Sequence, residues 1–364
     1  MADIRFENIT FRYGEHVILN NFSLTVEEGQ IMGIVGPSGC GKTTLIRLLS
    51  GFIKPEQGEI YIGDTCVFST KKRINMSPER RRVGVVFQDY AVWPHLTVLE
   101  NIMYPLKKKK VPKKEAYQRA KNALAQVRMS SYEKHLPAQL SGGQQQRVAI
   151  ARAIVSSDDV IILDEPITNL DAKLREEMLV EIQMIQKEIG TTIIYITHDQ
   201  EAALQVCDKI AIMDYEGKIC QIGIDEEIIK QPVNKFVYSF IGVSNFIPMV
   251  EKNDGVYFLC HDGLKYDKKA PEGFVSGVKN VMGIRPMNIK FNDDSPFKGT
   301  IVNATFLGNH YNYFVQFGDQ KLRVQRSTLE VKQSRVYLDG EVVGVEFIAP
   351  SYYDASERGA DDHE

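Results

Sequence analysis

Between Tyr13 and His198 lies an ordered series of residues suited to handling a polyphosphate. Its centre is Gly36-Pro37-Ser38-Gly39-Cys40-Gly41-Lys42-Thr43, with Thr44 following. The glycines let backbone N–H groups turn inward around phosphate oxygens, and a helix starting at Thr43 adds the partial positive charge of its N-terminus. Lys42 is spaced for the β- and γ-phosphates, and the Thr43 hydroxyl for Mg²⁺. The motif carries weight because Ile31–Val35 reads as a buried strand and Thr43–Leu49 as a helix, the setting a phosphate loop requires.

Further along, Val160–Leu163 is expected to deliver Asp164 to the end of a neighbouring strand, where a carboxylate can hold the Mg²⁺ water shell. Glu165 points at the same cavity and is the candidate general base for an attacking water. Thr197-His198 ends another strand and puts His198 in the γ-phosphate region. Gln88, after the strand-like Val83–Phe87, offers a neutral side chain to both Mg²⁺ and the water. The expected catalytic set is therefore Lys42, Gln88, Glu165 and His198, and the metal set Thr43, Gln88 and Asp164. Tyr13, in Phe11-Arg12-Tyr13-Gly14, is the candidate for stacking on adenine.

These residues need a scaffold. From Ile4 to about Phe240, strand-like runs alternate with amphipathic helical patterns, which predicts an α/β fold with a largely parallel sheet. Ile31–Val35, Val83–Phe87, Val160–Leu163, Thr192–Ile196 and Ile210–Met213 are nearly continuous in Val, Ile and Leu, as expected of strands covered on both faces. Asn101–Leu136 is mostly helical and carries a basic segment at Lys107–Lys110, Lys113 and Lys114, which predicts a helical lobe inserted in the α/β domain. Beyond Gly242-Val243-Ser244-Asn245 come short alternating segments punctuated by turns such as Asn253-Asp254-Gly255, His261-Asp262-Gly263 and Phe317-Gly318-Asp319, which predicts an all-β domain.

A chain of 364 residues accommodates two ordinary domains. Its net charge of −3 gives no argument for a nucleic-acid partner. No apolar run approaches the roughly 18–20 residues that span a bilayer, and Met1-Ala2-Asp3-Ile4-Arg5 is unlike a signal peptide. The five cysteines have no paired spacing, so a reducing cytosol is expected. Any role at a membrane requires a membrane part borrowed from another polypeptide.

From Ile4 to about Phe240 the motifs resemble those of ATP-binding cassette ATPases, and Leu140-Ser141-Gly142-Gly143-Gln144 matches that family's signature without a substitution. The resemblance implies a P-loop ATPase that binds ATP and Mg²⁺ and works as a dimer, in all expectation a homodimer. The signature of one subunit closes over the ATP of the other. Ser141, Gly142, Gly143 and Gln144 would then face a nucleotide held by the partner's Lys42, with Ser141 and Gly143 on its γ-phosphate. Asp171, in Asn169-Leu170-Asp171, would couple the two sites. Two or three charge-assisted hydrogen bonds per site, each contributing roughly 1.5–3 kcal/mol and made at both sites of the dimer, together exceed the roughly 5.5 kcal/mol that swings a two-state equilibrium from 1:99 to 99:1.

Gln88–Val98 resembles the segment through which importer ATPases meet the cytoplasmic helix of their membrane partner, and its aromatics suit such a contact. Asn169–Arg175 looks like importers of the maltose, polyamine and ferric-iron type. Gly283-Ile284-Arg285-Pro286 resembles the OB-like regulatory domain they append, with Met287 where an acidic residue is commoner. The implied plan is an ATPase domain at 1–241 with its helical lobe at about 89–156, an OB-like regulatory or dimerisation domain at 242–352, and an acidic tail at 353–364. The implied partners are a second ATPase subunit, integral membrane permease subunits and, indirectly, an extracytoplasmic solute-binding protein, with the chain peripheral at the cytoplasmic side of the membrane. Tyr90–His95 leans towards ferric iron as solute, with sugars and polyamines behind. Pro166-Ile167-Thr168 departs from the family's commoner Pro-Leu-Ser, and Cys40 is expected to be a thiol that alkylation could reach.

Two other classes compete. A soluble cassette ATPase acting on DNA or ribosomes typically has long coiled-coil insertions or two cassettes, and this chain has neither. A small-molecule kinase would share the phosphate loop but has no use for Leu140–Gln144.

Overall fold

The computed structural model describes residues 2–157, 159–168, 171–261, 263–333 and 335–360. Asn169 and Leu170 of the coupling motif, Asp262 of one predicted turn and Asp361–Glu364 of the acidic tail lie outside the described residues. The chain folds as two compact units, Met1–Lys230 and Gln231–Glu364.

The first unit begins with β1 (Ile4–Tyr13), β2 (His16–Val26), β3 (Ile31–Val35), α1 (Lys42–Ser50), β4 (Gln57–Ile62), β5 (Thr65–Ser69), β6 (Ile74–Asn75) and β7 (Val83–Val86). Helices α2 (Val98–Lys108), α3 (Lys113–Gln126) and α4 (Gly142–Ser156) follow. It ends with β8 (Val160–Asp164), α5 (Ala172–Ile189), β9 (Thr192–Thr197), α6 (Gln200–Val206), β10 (Lys209–Met213), β11 (Ile219–Gly223) and α7 (Asp225–Lys230). The central sheet has the order β11-β10-β3-β9-β8-β7. All its pairings are parallel except β10 with β11.

The α/β expectation holds, and the reason is visible in β8. Ile161 and Leu163 face the core shared with α4 and α5, whereas Val160 and Ile162 face the core shared with α1 and a second sheet. A strand buried on both faces has no polar side, hence the unbroken apolar run. Strand order is a correction. β8 does not lie beside β3, because β9 pairs with both, from Ile31↔Ile193 to Val35↔Thr197 on one edge and Val160↔Thr192 to Asp164↔Ile196 on the other. Apolar runs mark strands, but only backbone pairing decides who neighbours whom.

The second sheet, β2-β1-β4-β5-β6, is antiparallel and was not foreseen. Its strands bury one face only: Ile4, Phe6, Ile9 and Phe11 of β1 are buried, and several residues between them are not. The helical lobe is present as α2, α3 and α4. Thr97 caps α2 in a reciprocal bond with Glu100, and Ser141 caps α4 in the same way with Gln144.

The second unit contains α8 (Lys235–Phe240), β12 (Asn245–Lys252), β13 (Gly255–Phe258), β14 (Lys265–Asp267), β15 (Asn280–Ile284), β16 (Ile289–Phe291) and β17 (Lys298–Phe306). It closes with β18 (His310–Phe317), β19 (Gln320–Ser327), α9 (Thr328–Gln333), β20 (Val342–Phe347) and β21 (Ser351–Asp354). Two sheets, β14-β13-β12-β15-β21 and β16-β20-β17-β18-β19, enclose a core in which Phe258 makes edge-on contacts with Phe297 and Phe317. The unit begins earlier than position 242 because α8 belongs to it. The Lys235 N–H donates to Glu357 Oε2 at 3.0 Å, and Tyr238 packs on Tyr353. Among the described residues no helix is long and apolar enough to cross a membrane.

Candidate functional site

The parallel registers align the C-terminal ends of four strands, pairing Val35 with Thr197, Ile196 with Asp164 and Leu163 with Val86. The phosphate loop, His198, Asp164-Glu165 and Gln88 all leave the sheet at this edge, where open α/β sheets place their ligands.

Gly41, with φ 109°, caps the N-terminus of α1 in a conformation open to glycine and strained for other residues. Lys42 is buried and its ammonium donates to the carbonyls of Gly36 at 2.6 Å and Pro37 at 2.8 Å. Thr43 is exposed at the mouth, and Thr44 is buried behind it. Cys40 is 1% exposed, 3.7 Å from the Lys42 ammonium, and burial outweighs that charge to push its thiol pKa up. The thiol is thus neither accessible nor ionised, and the expectation of ready alkylation is corrected. The far end of α1 is held by Arg81, buried and donating to Leu48 O at 2.6 Å, Leu49 O at 3.0 Å, Met76 O at 3.0 Å and Asn75 Oδ1 at 3.1 Å. Burial lowers its pKa to about 10, and its charge faces the negative end of the helix dipole.

Asp164 ends β8, and burial, reinforced by the adjacent Glu165, holds its carboxyl above the usual carboxylate range despite Lys42. Among the described residues its carboxylate has no hydrogen-bond or ion-pair partner. A half-buried carboxylate in that condition suits a cation. Glu165 has φ 50°, a left-handed conformation rare for a side chain of its size. Its carboxylate is held at both oxygens: Oε1 accepts from the His198 N–H at 3.2 Å and contacts His198 Nδ1 at 2.7 Å, and Oε2 accepts from the Thr168 hydroxyl at 2.9 Å. The His198 side chain is largely exposed beyond this contact.

The other predicted residues stand apart. Gln88 lies in an exposed turn and, among the described residues, its side chain makes no hydrogen bond to this group. The Tyr13 hydroxyl accepts from Arg47 of α1 at 3.4 Å, and its ring meets Phe11 edge-on at 4.8 Å. Ser141 accepts from the Gln144 N–H at 3.3 Å at the start of α4, where the first-turn N–H groups of Gly142 and Gly143 have no intrahelical acceptor. A Cβ on Gly143 would stand 3.1 Å from Leu174 of α5, a helix capped by the exposed Asp171 through the Leu174 N–H at 3.0 Å.

Sequence reasoning missed the Thr168 tether, for which a hydroxyl three residues after Glu165 was the available signal, and it missed Arg152. Nor did it show that Gln88–Val98 borders a groove of about 570 Å³ lined by Phe52, Phe87, Trp93, Tyr104, Pro105 and Arg152. Asn101, fully buried, pins this loop by accepting from Trp93 N at 2.8 Å and donating to the carbonyls of Trp93, Leu96 and Thr97.

Residues 19–168 match the ABC transporter family model and residues 282–351 the TOBE domain model. The chain is 43% identical over 310 residues to the spermidine/putrescine import ATP-binding protein PotA of Acetivibrio thermocellus, covering 85% of each protein. It is 40% identical over 351 residues to the Fe(3+) ions import ATP-binding protein FbpC of Fusobacterium nucleatum, covering 93% of this chain and 91% of that one. Among solved structures, cbiO1 of Clostridium perfringens, part of the ABC transporter complex cbiONQ, aligns with a TM-score of 0.56 at 29% identity over 62% of this chain and 89% of that one. A post-hydrolysis dimer of the ATP-binding cassette MJ0796 with ADP and Pi aligns with a TM-score of 0.50 at 32% identity, over 61% of this chain and 98% of that one.

Proposed function

Because this chain belongs to the ATP-binding subunits of ABC importers, we propose the following division of labour for its residues. The chain hydrolyses ATP and couples that reaction to import. For ATP to bind, phosphate oxygens replace the Gly36 and Pro37 carbonyls on the Lys42 ammonium, and backbone N–H groups of Gly36–Thr44 complete the cradle. Thr43, Gln88 and Asp164 hold Mg²⁺, which neutralises charge on the phosphate oxygens when bound. Tyr13 stacks on adenine. Glu165 accepts the proton of the attacking water while Thr168 and His198 hold its carboxylate in place. His198 presents Nε2 towards the γ-phosphate.

A second copy of the chain supplies Ser141, Gly142, Gly143 and Gln144 from above, and Asp171 links the two sites. A cytoplasmic helix of the membrane subunits enters the Trp93–Tyr104 groove, which keeps the chain peripheral at the inner face of the membrane. The solute is a polyamine or ferric ion, the cargo named for the relatives, delivered by an external binding protein and untouched by this chain.

The observation that carries this reading is the Glu165 carboxylate, tethered on both oxygens at the sheet edge that also bears the phosphate loop. Glu165→Gln should retain ATP and accumulate as a dimer with Mg²⁺-ATP, measured by light scattering on a size-exclusion column. Hydrolysis at the parent rate would end the base assignment. Co-purification with the permease, followed by stimulation of ATPase by binding proteins loaded with spermidine or Fe³⁺, identifies the solute.

A further inference from the structure

The turn after Gln88 is built from residues ill suited to it. Tyr90 and Ala91 have φ of 57° and 44°, two consecutive left-handed residues with neither a glycine. That conformation crowds Cβ against the backbone, so something outside the turn must hold it. Arg152 does so: Nη1 donates to Ala91 O at 2.6 Å and Nη2 to Tyr90 O at 2.7 Å, while the guanidinium lies 4.7 Å from the centre of the Trp93 ring. The planar fork of arginine can bridge two carbonyls and stack at once, which the point charge of lysine cannot.

Arg152 belongs to α4, the helix capped at its N-terminus by Ser141. Eleven residues of helix, about 16 Å, separate the two, and a helix over that length behaves as a rod. At its Arg152 end, the guanidinium also lines the groove together with Ala91 and Trp93. We infer that Arg152 is a positioning residue for the hydrolysis reaction, locking the Gln88 turn to the signature helix so that groove, Gln88 and Ser141 move as one body. This rests on the roles of Gln88 and Ser141 proposed above.

Trp93 is the sole tryptophan of the chain and lies under Arg152, so its emission reports on the turn. With the full chain, Mg²⁺-ATP added to Glu165→Gln should shift Trp93 emission. The same shift should be absent when Arg152→Met is added to that background, although mant-ATP still binds within about twofold of the parent affinity. In steady-state assays Arg152→Met should lower kcat about tenfold with KM for ATP nearly unchanged, and Arg152→Lys should do no better. Ala91→Gly, which adopts φ 44° without help, should restore about threefold of the turnover lost in Arg152→Met, measured relative to Ala91→Gly alone.

A parent-like kcat in Arg152→Met, full rescue by lysine, or an ATP-dependent Trp93 shift that survives without Arg152 would each overturn the assignment. If Arg152→Met is too unstable to assay, Arg152→Lys with and without Ala91→Gly carries the same comparison, and failure of glycine to improve it counts against the proposal. ATP hydrolysis by Glu165→Gln at the parent rate would instead signal that the reading of the nucleotide site itself has failed.

Discussion

Thr168→Val removes one hydroxyl and almost no volume, and it tests how the base is held. Glu165 occupies a left-handed conformation that costs roughly 1–2 kcal/mol for a non-glycine residue, so its carboxylate does not stay in place by default. Three contacts restrain it, two from His198 and one from Thr168 at 2.9 Å. A hydrogen bond to a charged group contributes about 1.5–3 kcal/mol. Thr168 is exposed, so water recovers part of this and the lower end applies. At 1.36 kcal/mol per decade, the loss translates to about tenfold in kcat. The KM for ATP should barely move, because the hydroxyl orients the base and lies off the phosphate loop. Steady-state phosphate release across ATP concentrations measures both, and Thr168→Ser, which keeps the hydroxyl, should stay within about twofold of the parent. Parent-like turnover in the valine variant, or a serine variant as impaired as valine, would refute the tether.

Asp164→Asn should abolish Mg²⁺-dependent turnover and yet stabilise the nucleotide-free protein at neutral pH. Burial and Glu165 raise the Asp164 pKa in the folded state, so folding takes up a proton there. Stability falls as pH climbs from the ordinary carboxylate value through the raised one, and the deficit persists above it. Thermal melts without nucleotide or Mg²⁺ should give the variant a higher Tm at pH 7 and no advantage below about pH 3.9; a lower Tm at pH 7 would contradict the shift. Arg81→Met should destabilise the chain by about 2 kcal/mol or more, since it takes the arginine donor from the buried Leu49 carbonyl and the half-buried Met76 carbonyl, each costing roughly 1–3 kcal/mol, while Leu48 O keeps the Gly51 N–H. Relief of the buried charge offsets only part of this, and urea unfolding with an unchanged m-value checks it.

The amino-acid order alone determined what depends on local spacing. Gly36–Gly41 had to be a loop between strand and helix, Val160–Leu163 and Thr192–Ile196 had to be buried on two faces, and each carried its functional residue one or two steps beyond its apolar run. The one-faced strands of β1 and β2 were harder to see, because alternation interrupted by bulges lacks a continuous apolar mark. Only the tertiary structure inserted β9 between β3 and β8, tied Thr168 and His198 to opposite oxygens of Glu165, and brought Arg152 to the carbonyls of Tyr90 and Ala91 across more than sixty positions. Those arrangements are made by hydrogen bonds between residues remote in the chain. Their partners are chosen by which elements pack together, a choice that periodicity along one segment does not record.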